Sequence, residues 1–163
     1  LVGLLAALMT YSKYHGILVL FFVILADLKL FKDKYFYIAI VTALVVFSPH
    51  VWWQVENDFP SLKYHLVERS AKAYRLGYTL EYPLNQMAVF GPFLFPLMIA
   101  AVYKCKAKGV FARTLKFLFW GFLAFFLLMT FKGHVEPHWT VAAIIPAVCF
   151  TFNYAVKLSL IHI

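Results

Sequence analysis

From Tyr35 to Trp53 the chain reads "YFYIAIVTALVVFSPHVWW", without one Asp, Glu, Lys or Arg. A run of that length matches the roughly 20 apolar residues a helix needs to cross a bilayer. In hydrocarbon each backbone N–H and C=O must be paired within the chain, which leaves helices or closed barrels as solutions. The pattern recurs at Pro83–Tyr103 and His138–Val156, and in shorter form at Phe117–Phe131, dense in Phe and Leu. Gly16–Leu28 is apolar but short, and spans only if Tyr11–His15 lies partly in the membrane. Leu1–Tyr11 reads as the end of a truncated span. The expected fold is therefore all-α, a polytopic transmembrane helical bundle of about six hydrophobic segments.

Composition agrees. Hydrophobic residues make up 64% and charged residues 13% of the chain, with a mean hydropathy of +0.81. Soluble domains hold about 45–50% apolar and about 25% charged residues. A net charge of +8 would suggest nucleic acid in a soluble protein. Here it is read as loop lysines that set topology, with membrane lipids rather than nucleic acid as partners. The chain opens on Leu1 inside an apolar run, with no Met and no signal-peptide n-region, and is read as a fragment. Residues 1–157 form the membrane domain, and "LSLIHI", 158–163, is read as a non-native tail. Cys105 and Cys149 give no ground for a disulfide, one lying in a basic loop and the other in an apolar segment.

If the segments alternate, nine cations share one side: Lys29, Lys32, Lys34, Lys104, Lys106, Lys108, Arg113, Lys116 and Lys157. They lie in short loops or at a helix end, where the positive-inside rule works best, so that side is assigned to the cytoplasm. The other side holds Lys13, Lys63, Arg69, Lys72, Arg75 and Lys132, but also five of the seven acids, Glu56, Asp58, Glu68, Glu81 and Glu136. His15, His50, His65, His134 and His138 fall on or near that face. The cytoplasmic loops look like topology signals and the outer loops like a site.

Three outer stretches, "YSKYHG", the long loop about 54–82 and "FKGHVEPHW", carry the chemistry. In "YSKYHG", Lys13 is either a turn lysine snorkelling to headgroups or a cation that binds phosphate at membrane depth. Gly16 would let another backbone come close. "SPHVWW" reads as an aromatic belt with a proline stop, with His50 left open. In the long outer loop, about 54–82, Asn57, Asp58 and Pro60 signal a turn, and Ser61 is expected to cap a short amphipathic helix running to about Tyr74. There Glu68 and Arg69 are either a solvated pair or a phosphate fork oriented by the acid. "FKGHVEPHW" places Lys132, His134, Glu136 and His138 within seven positions. An extended backbone points His134, Glu136 and His138 the same way, so they could hold a divalent metal such as zinc, or hydrogen-bond an anion or sugar. Pro137 prevents a helical reading of the whole stretch.

Taken in order and spacing, "GLLAALMTYSKYHGILVL", "FSPHVWWQVENDFPSLKYHLVER" and "FKGHVEPHWTVAAIIPAV" resemble the bacterial GT-C glycosyltransferases related to protein O-mannosyltransferases and to the aminoarabinose transferase of lipid A. The resemblance implies a multi-pass enzyme of the bacterial inner membrane with its active site facing the periplasm or exterior. It implies a polyprenyl-phosphate-linked sugar as donor, transferred to a protein, lipid or glycan acceptor, usually with inversion. Lys13, with His15 beside it, matches the family's lysine after an early span, and Lys132 a lysine after a late one. Glu68-Arg69 aligns with a Glu-His pair, with Arg69 in place of the histidine. The family's acidic residue that activates the acceptor would precede Leu1, so the fragment is expected to be inactive alone. The competing class is a transporter or flippase of lipid-linked or anionic cargo, which predicts internal repeats and polar mid-span residues. A structural membrane subunit would leave the outer charge cluster unexplained.

Overall fold

A computed structural model describes residues 1–64 and 74–161, and every regular element among them is a helix. They form two compact units, Leu1–Ala73 and Tyr74–Ile163.

The first unit contains α1 (Val2–Ser12), α2 (Gly16–Ala26), a 3₁₀ turn (Leu28–Lys32), α3 (Lys34–Glu56) and the single turn α4 (Pro60–Lys63). Asp33 starts α3: its side chain accepts from the backbone N–H of Tyr35 at 2.9 Å, satisfying a donor the first turn leaves open. α1 lies along α3. A Cβ on Gly3 would collide with the Ala39 carbonyl and come within 2.8 Å of the Thr42 Cβ. Gly3 and Ala7, four apart and both buried, form the small-residue face that permits this approach. Further on, the Tyr11 hydroxyl donates to the Val46 carbonyl at 3.1 Å. Gly3 thus sits beside Ala39–Thr42 and Tyr11 beside Val46, so α1 and α3 run parallel. The chain returns through α2 and the 3₁₀ turn, which puts Lys13 at one end of α3 and Lys29, Lys32 and Lys34 at the other. Gly16 begins that return. Its Cβ would lie 2.9 Å from the Met9 carbonyl, the close approach expected of it.

Pro49 does not stop the helix. α3 continues seven residues past it to Glu56. Pro49 has no N–H for the Val45 carbonyl, and the Ser48 hydroxyl donates to that carbonyl instead, at 2.8 Å. The span therefore takes in Gln54, placed above in the loop.

The second unit contains α5 (Leu76–Phe90), α6 (Leu94–Lys104), α7 (Gly109–Met129), a 3₁₀ segment (Pro137–Ala143) and α8 (Ile144–Ile161). The expected span Pro83–Tyr103 is broken by an elbow, α5 and α6 meeting at 95°. Gly91 has φ +93°, a conformation only glycine adopts without strain, and Pro92 offers no N–H to carry α5 onward. α7 begins eight residues earlier than Phe117 and takes up Arg113 and Lys116. Its 21 residues rise about 31 Å, the thickness of a hydrocarbon core. Phe119, Phe122 and Phe126 fill the centre, with Ala101 and Val102 of α6 and Ala143 and Ala147 on the returning segment. The Tyr82 hydroxyl donates to the Leu123 carbonyl at 2.9 Å, pinning α5 to α7. Cys105 and Cys149 are free thiols.

Among the described residues three helical stretches are long and apolar enough to cross a membrane, or four if the elbow is one span. The expected six apolar segments are all helical, but α1 and α2, at 11 residues, rise only about 16 Å each and do not qualify alone. α3 leaves Val41, Leu44 and Val45 more than half exposed, a face suited to lipid. Gly3→Ala should lower the thermal midpoint of the purified protein in detergent, an overpacking loss of about 1–3 kcal/mol. Gly77→Ala, whose Cβ would meet only the Glu81 carboxylate at 3.6 Å, should leave it unchanged or slightly raised. Equal losses for both would refute the α1–α3 crossing.

Candidate functional site

Each unit gathers polar side chains at one end of its long helices. In the first unit they come from the α1–α2 corner, the last two turns of α3, and α4. His50 and Gln54 lie four apart on α3 and share a face. The Gln54 amide N–H₂ donates to the Tyr14 hydroxyl and to Ser61 Oγ, both at 2.8 Å. The Tyr14 hydroxyl lies 2.7 Å from His50 Nε2 and 3.0 Å from Ser61 Oγ, and its one proton serves one of them at a time. Gln54 is 6% exposed, and its Oε1 is buried without a hydrogen-bond partner. Such an acceptor is costly to leave open, and it marks the point where the network can take one more donor.

Ser61 reaches Gln54 because of the turn before it. Asp58 and Phe59 both have φ near +60°, and the Phe59 N–H donates to the Gln54 carbonyl at 2.7 Å. A left-handed Phe is strained by about 1–3 kcal/mol and persists only where its surroundings fix it. Ser61 therefore does not cap the turn as expected. Pro60 begins α4 after Phe59, and the serine hydroxyl faces Tyr14 and Gln54. Aromatic rings surround His50: Trp53 stacked at 5.9 Å, Tyr11 edge-on at 5.6 Å, Phe47 at 5.1 Å. Lys13, next to Tyr14, is exposed, with no ion pair among the described residues. His15 precedes α2. Glu68, Arg69 and His65 lie outside the described residues.

In the second unit the polar end joins the start of α5 to residues 130–140. Thr130, wholly buried, shares a hydrogen bond with Thr79 at 2.9 Å, and Tyr74 stacks on Phe131 at 5.6 Å. Gly133 and Val135 are buried, which leaves Lys132 on the exposed side of the same strap. His134 Nδ1 lies 3.7 Å from the Glu136 carboxylate, and its ring meets the edge of Tyr78 at 5.9 Å. The extended backbone ends there. At Pro137 the chain enters the 3₁₀ segment, and His138 is exposed on its first turn. Alternation thus holds for His134 and Glu136 but not for His138. Among the described residues no three metal-ligating side chains form a group that could hold an ion, so the candidate trio is not assembled. Trp139 is half-buried, with its ring 5.5 Å from Phe126.

Sequence reasoning found Lys13, His50, Lys132, His134 and Glu136 in these ends but missed Tyr14, Gln54, Ser61, Thr79 and Thr130. The available signal was Gln54, an amide one turn beyond His50.

The chain is 30% identical over 111 residues to the lipid A galacturonosyltransferase RgtD of Rhizobium johnstonii. That match takes in 65% of this chain and 23% of the relative, so the chain spans about a quarter of the relative's length. No family profile and no solved structure matches. The likeness is to a glycosyltransferase that acts on lipid A.

Tyr14→Phe removes the hydroxyl at the centre of the first cluster and should cost about 1–3 kcal/mol of stability. Lys132→Ala, at an exposed side chain, should change it by less than about 0.5 kcal/mol. Chemical denaturation in mixed micelles would read both. An unchanged midpoint for Tyr14→Phe would mean the network contributes nothing.

Proposed function

We propose that this chain is the donor-binding part of a membrane glycosyltransferase that takes a sugar from a polyprenyl-phosphate donor. The observation that carries the reading is the 30% identity to a lipid A glycosyltransferase over most of the chain. The relative's substrate favours a lipid among the protein, lipid and glycan acceptors. The segregation of charge supports the orientation: the end bearing Lys13 and the end bearing Lys132 face the periplasm or exterior of a bacterial inner membrane, and the basic ends face the cytoplasm.

In the reaction an acceptor hydroxyl attacks the anomeric carbon, the bond from that carbon to the phosphate oxygen breaks, and the polyprenyl phosphate leaves with the electron pair. The chain's part is to hold the leaving phosphate and to place the sugar. Lys13 in the first unit and Lys132 in the second each carry an ammonium group suited to a phosphate. Gly133 keeps the backbone close at Lys132. His134, held by Glu136, donates to the phosphate or to a sugar hydroxyl, with His15 and His138 as further donors. Glu68 and Arg69, outside the described residues, are a fork suited to such an anion. The proton of the acceptor passes to an acidic residue elsewhere in the transferase.

Charge-assisted hydrogen bonds contribute about 1.5–3 kcal/mol each. Lys132→Ala and Lys13→Ala should therefore each weaken binding of a polyprenyl phosphate by roughly ten- to a hundredfold, measured by tryptophan fluorescence in nanodiscs rich in phosphatidylglycerol. Lys106→Ala should leave it unchanged. A silent Lys132→Ala, or an equally damaging Lys106→Ala, would remove the headgroup role.

A further inference from the structure

The end of the second unit away from Lys132 carries Lys104, Lys106, Lys108, Arg113, Lys116 and Lys157. The two carboxylates of the unit, Glu81 and Glu136, belong to the opposite end. A topology signal needs only the charges, in any conformation. Here two of the lysines are held in place. Lys104 Nζ donates to the Tyr154 hydroxyl at 3.3 Å and sits 5.8 Å from the centre of that ring. Lys116 Nζ donates to the Tyr103 carbonyl at 3.4 Å and sits 5.8 Å from the centre of the Phe150 ring. Phe150 and Tyr154 are one turn apart on α8, so Lys104 of α6 and Lys116 of α7 each sit near a ring on the same stripe of α8. An ammonium has three N–H donors, and these contacts use one on each.

We propose that this corner is a binding site for the phosphodiester headgroup of an anionic phospholipid. The headgroup supplies one negative charge and acceptor oxygens to the open N–H groups of Lys104 and Lys116. Basic corners between membrane helices are suited to such headgroups. The corner is flanked by Tyr103 on α6, 77% exposed, whose ring offers an acyl chain apolar surface. A free phosphate would meet the same cations but gain nothing from that flank. The inference does not depend on the glycosyltransferase reading, since it concerns the other end of the unit and a lipid that is not consumed.

The test is native mass spectrometry of the purified chain in detergent, titrated with dioleoyl phosphatidylglycerol or dioleoyl phosphatidylcholine. Phosphatidylglycerol should bind about tenfold tighter. The double variant Lys104→Gln, Lys116→Gln should lose that preference, Lys104→Arg with Lys116→Arg should keep it, and Lys63→Gln in the other unit should leave it within twofold. If the glutamine variant fails to fold, raising the salt on the parent protein still decides, because the bound lipid should be released as ionic strength rises. Equal binding of the two lipids, retention in the glutamine variant, or binding indifferent to salt would overturn the proposal. Displacement of the lipid by millimolar inorganic phosphate would assign the corner to free phosphate instead.

Discussion

Everything in this chain follows from backbone amides that hydrocarbon will not solvate. Each long apolar run must close its own hydrogen bonds, and α3 shows how tightly that holds. Pro49 strips the Val45 carbonyl of its donor, and the neighbouring Ser48 hydroxyl fills the vacancy at 2.8 Å. Where no such repair exists the helix breaks. At Gly91 and Pro92 the chain turns by 95° rather than continue. Helices of fixed length then confine charge to their ends.

That confinement makes the two kinds of end chemically different. Around Tyr14, His50, Gln54 and Ser61 the first unit builds a network of donors and acceptors among aromatic rings, with Lys13 exposed beside it. In the second unit Thr79 and Thr130 share a hydrogen bond, His134 lies against Tyr78 and Glu136, and Lys132 is exposed on the same segment. A phosphosugar needs cationic charge for its phosphate and neutral hydrogen-bonding groups for its hydroxyls, and each polar end offers both. The opposite end of the second unit offers lysine and arginine without Asp or Glu, suited to phosphate alone, while that of the first unit mixes Lys29, Lys32 and Lys34 with Asp27 and Asp33.

Segment positions and charge segregation were legible in the sequence because both follow from composition along a line. The helical class, a close backbone approach at Gly16, and the shared end of Lys13 and His50 all came from that reading. The elbow at Gly91 did not, although Gly-Pro was in view, because an apolar count over Pro83–Tyr103 does not register a backbone that turns. Pro49 was misjudged for the opposite reason: the rule that proline stops a helix ignores a serine able to replace the lost donor. Ser61 was assigned to a cap by local pattern, whereas tertiary partners 7 and 47 residues away took its hydroxyl. His138 left the expected line because Pro137 opens a 3₁₀ segment and ends the alternation on which the trio depended.

The central claim is that the polar ends, rather than the basic ones, receive the phosphate of a lipid-linked sugar. Photo-crosslinking answers it most directly, using a polyprenyl phosphate with a diazirine next to the phosphate, in nanodiscs where phosphatidylglycerol is in large excess to occupy the basic corner. Peptide mapping should place the adducts in residues 11–16 and 131–139. Adducts confined to residues 103–116, or spread evenly along the lipid-facing helices, would contradict it.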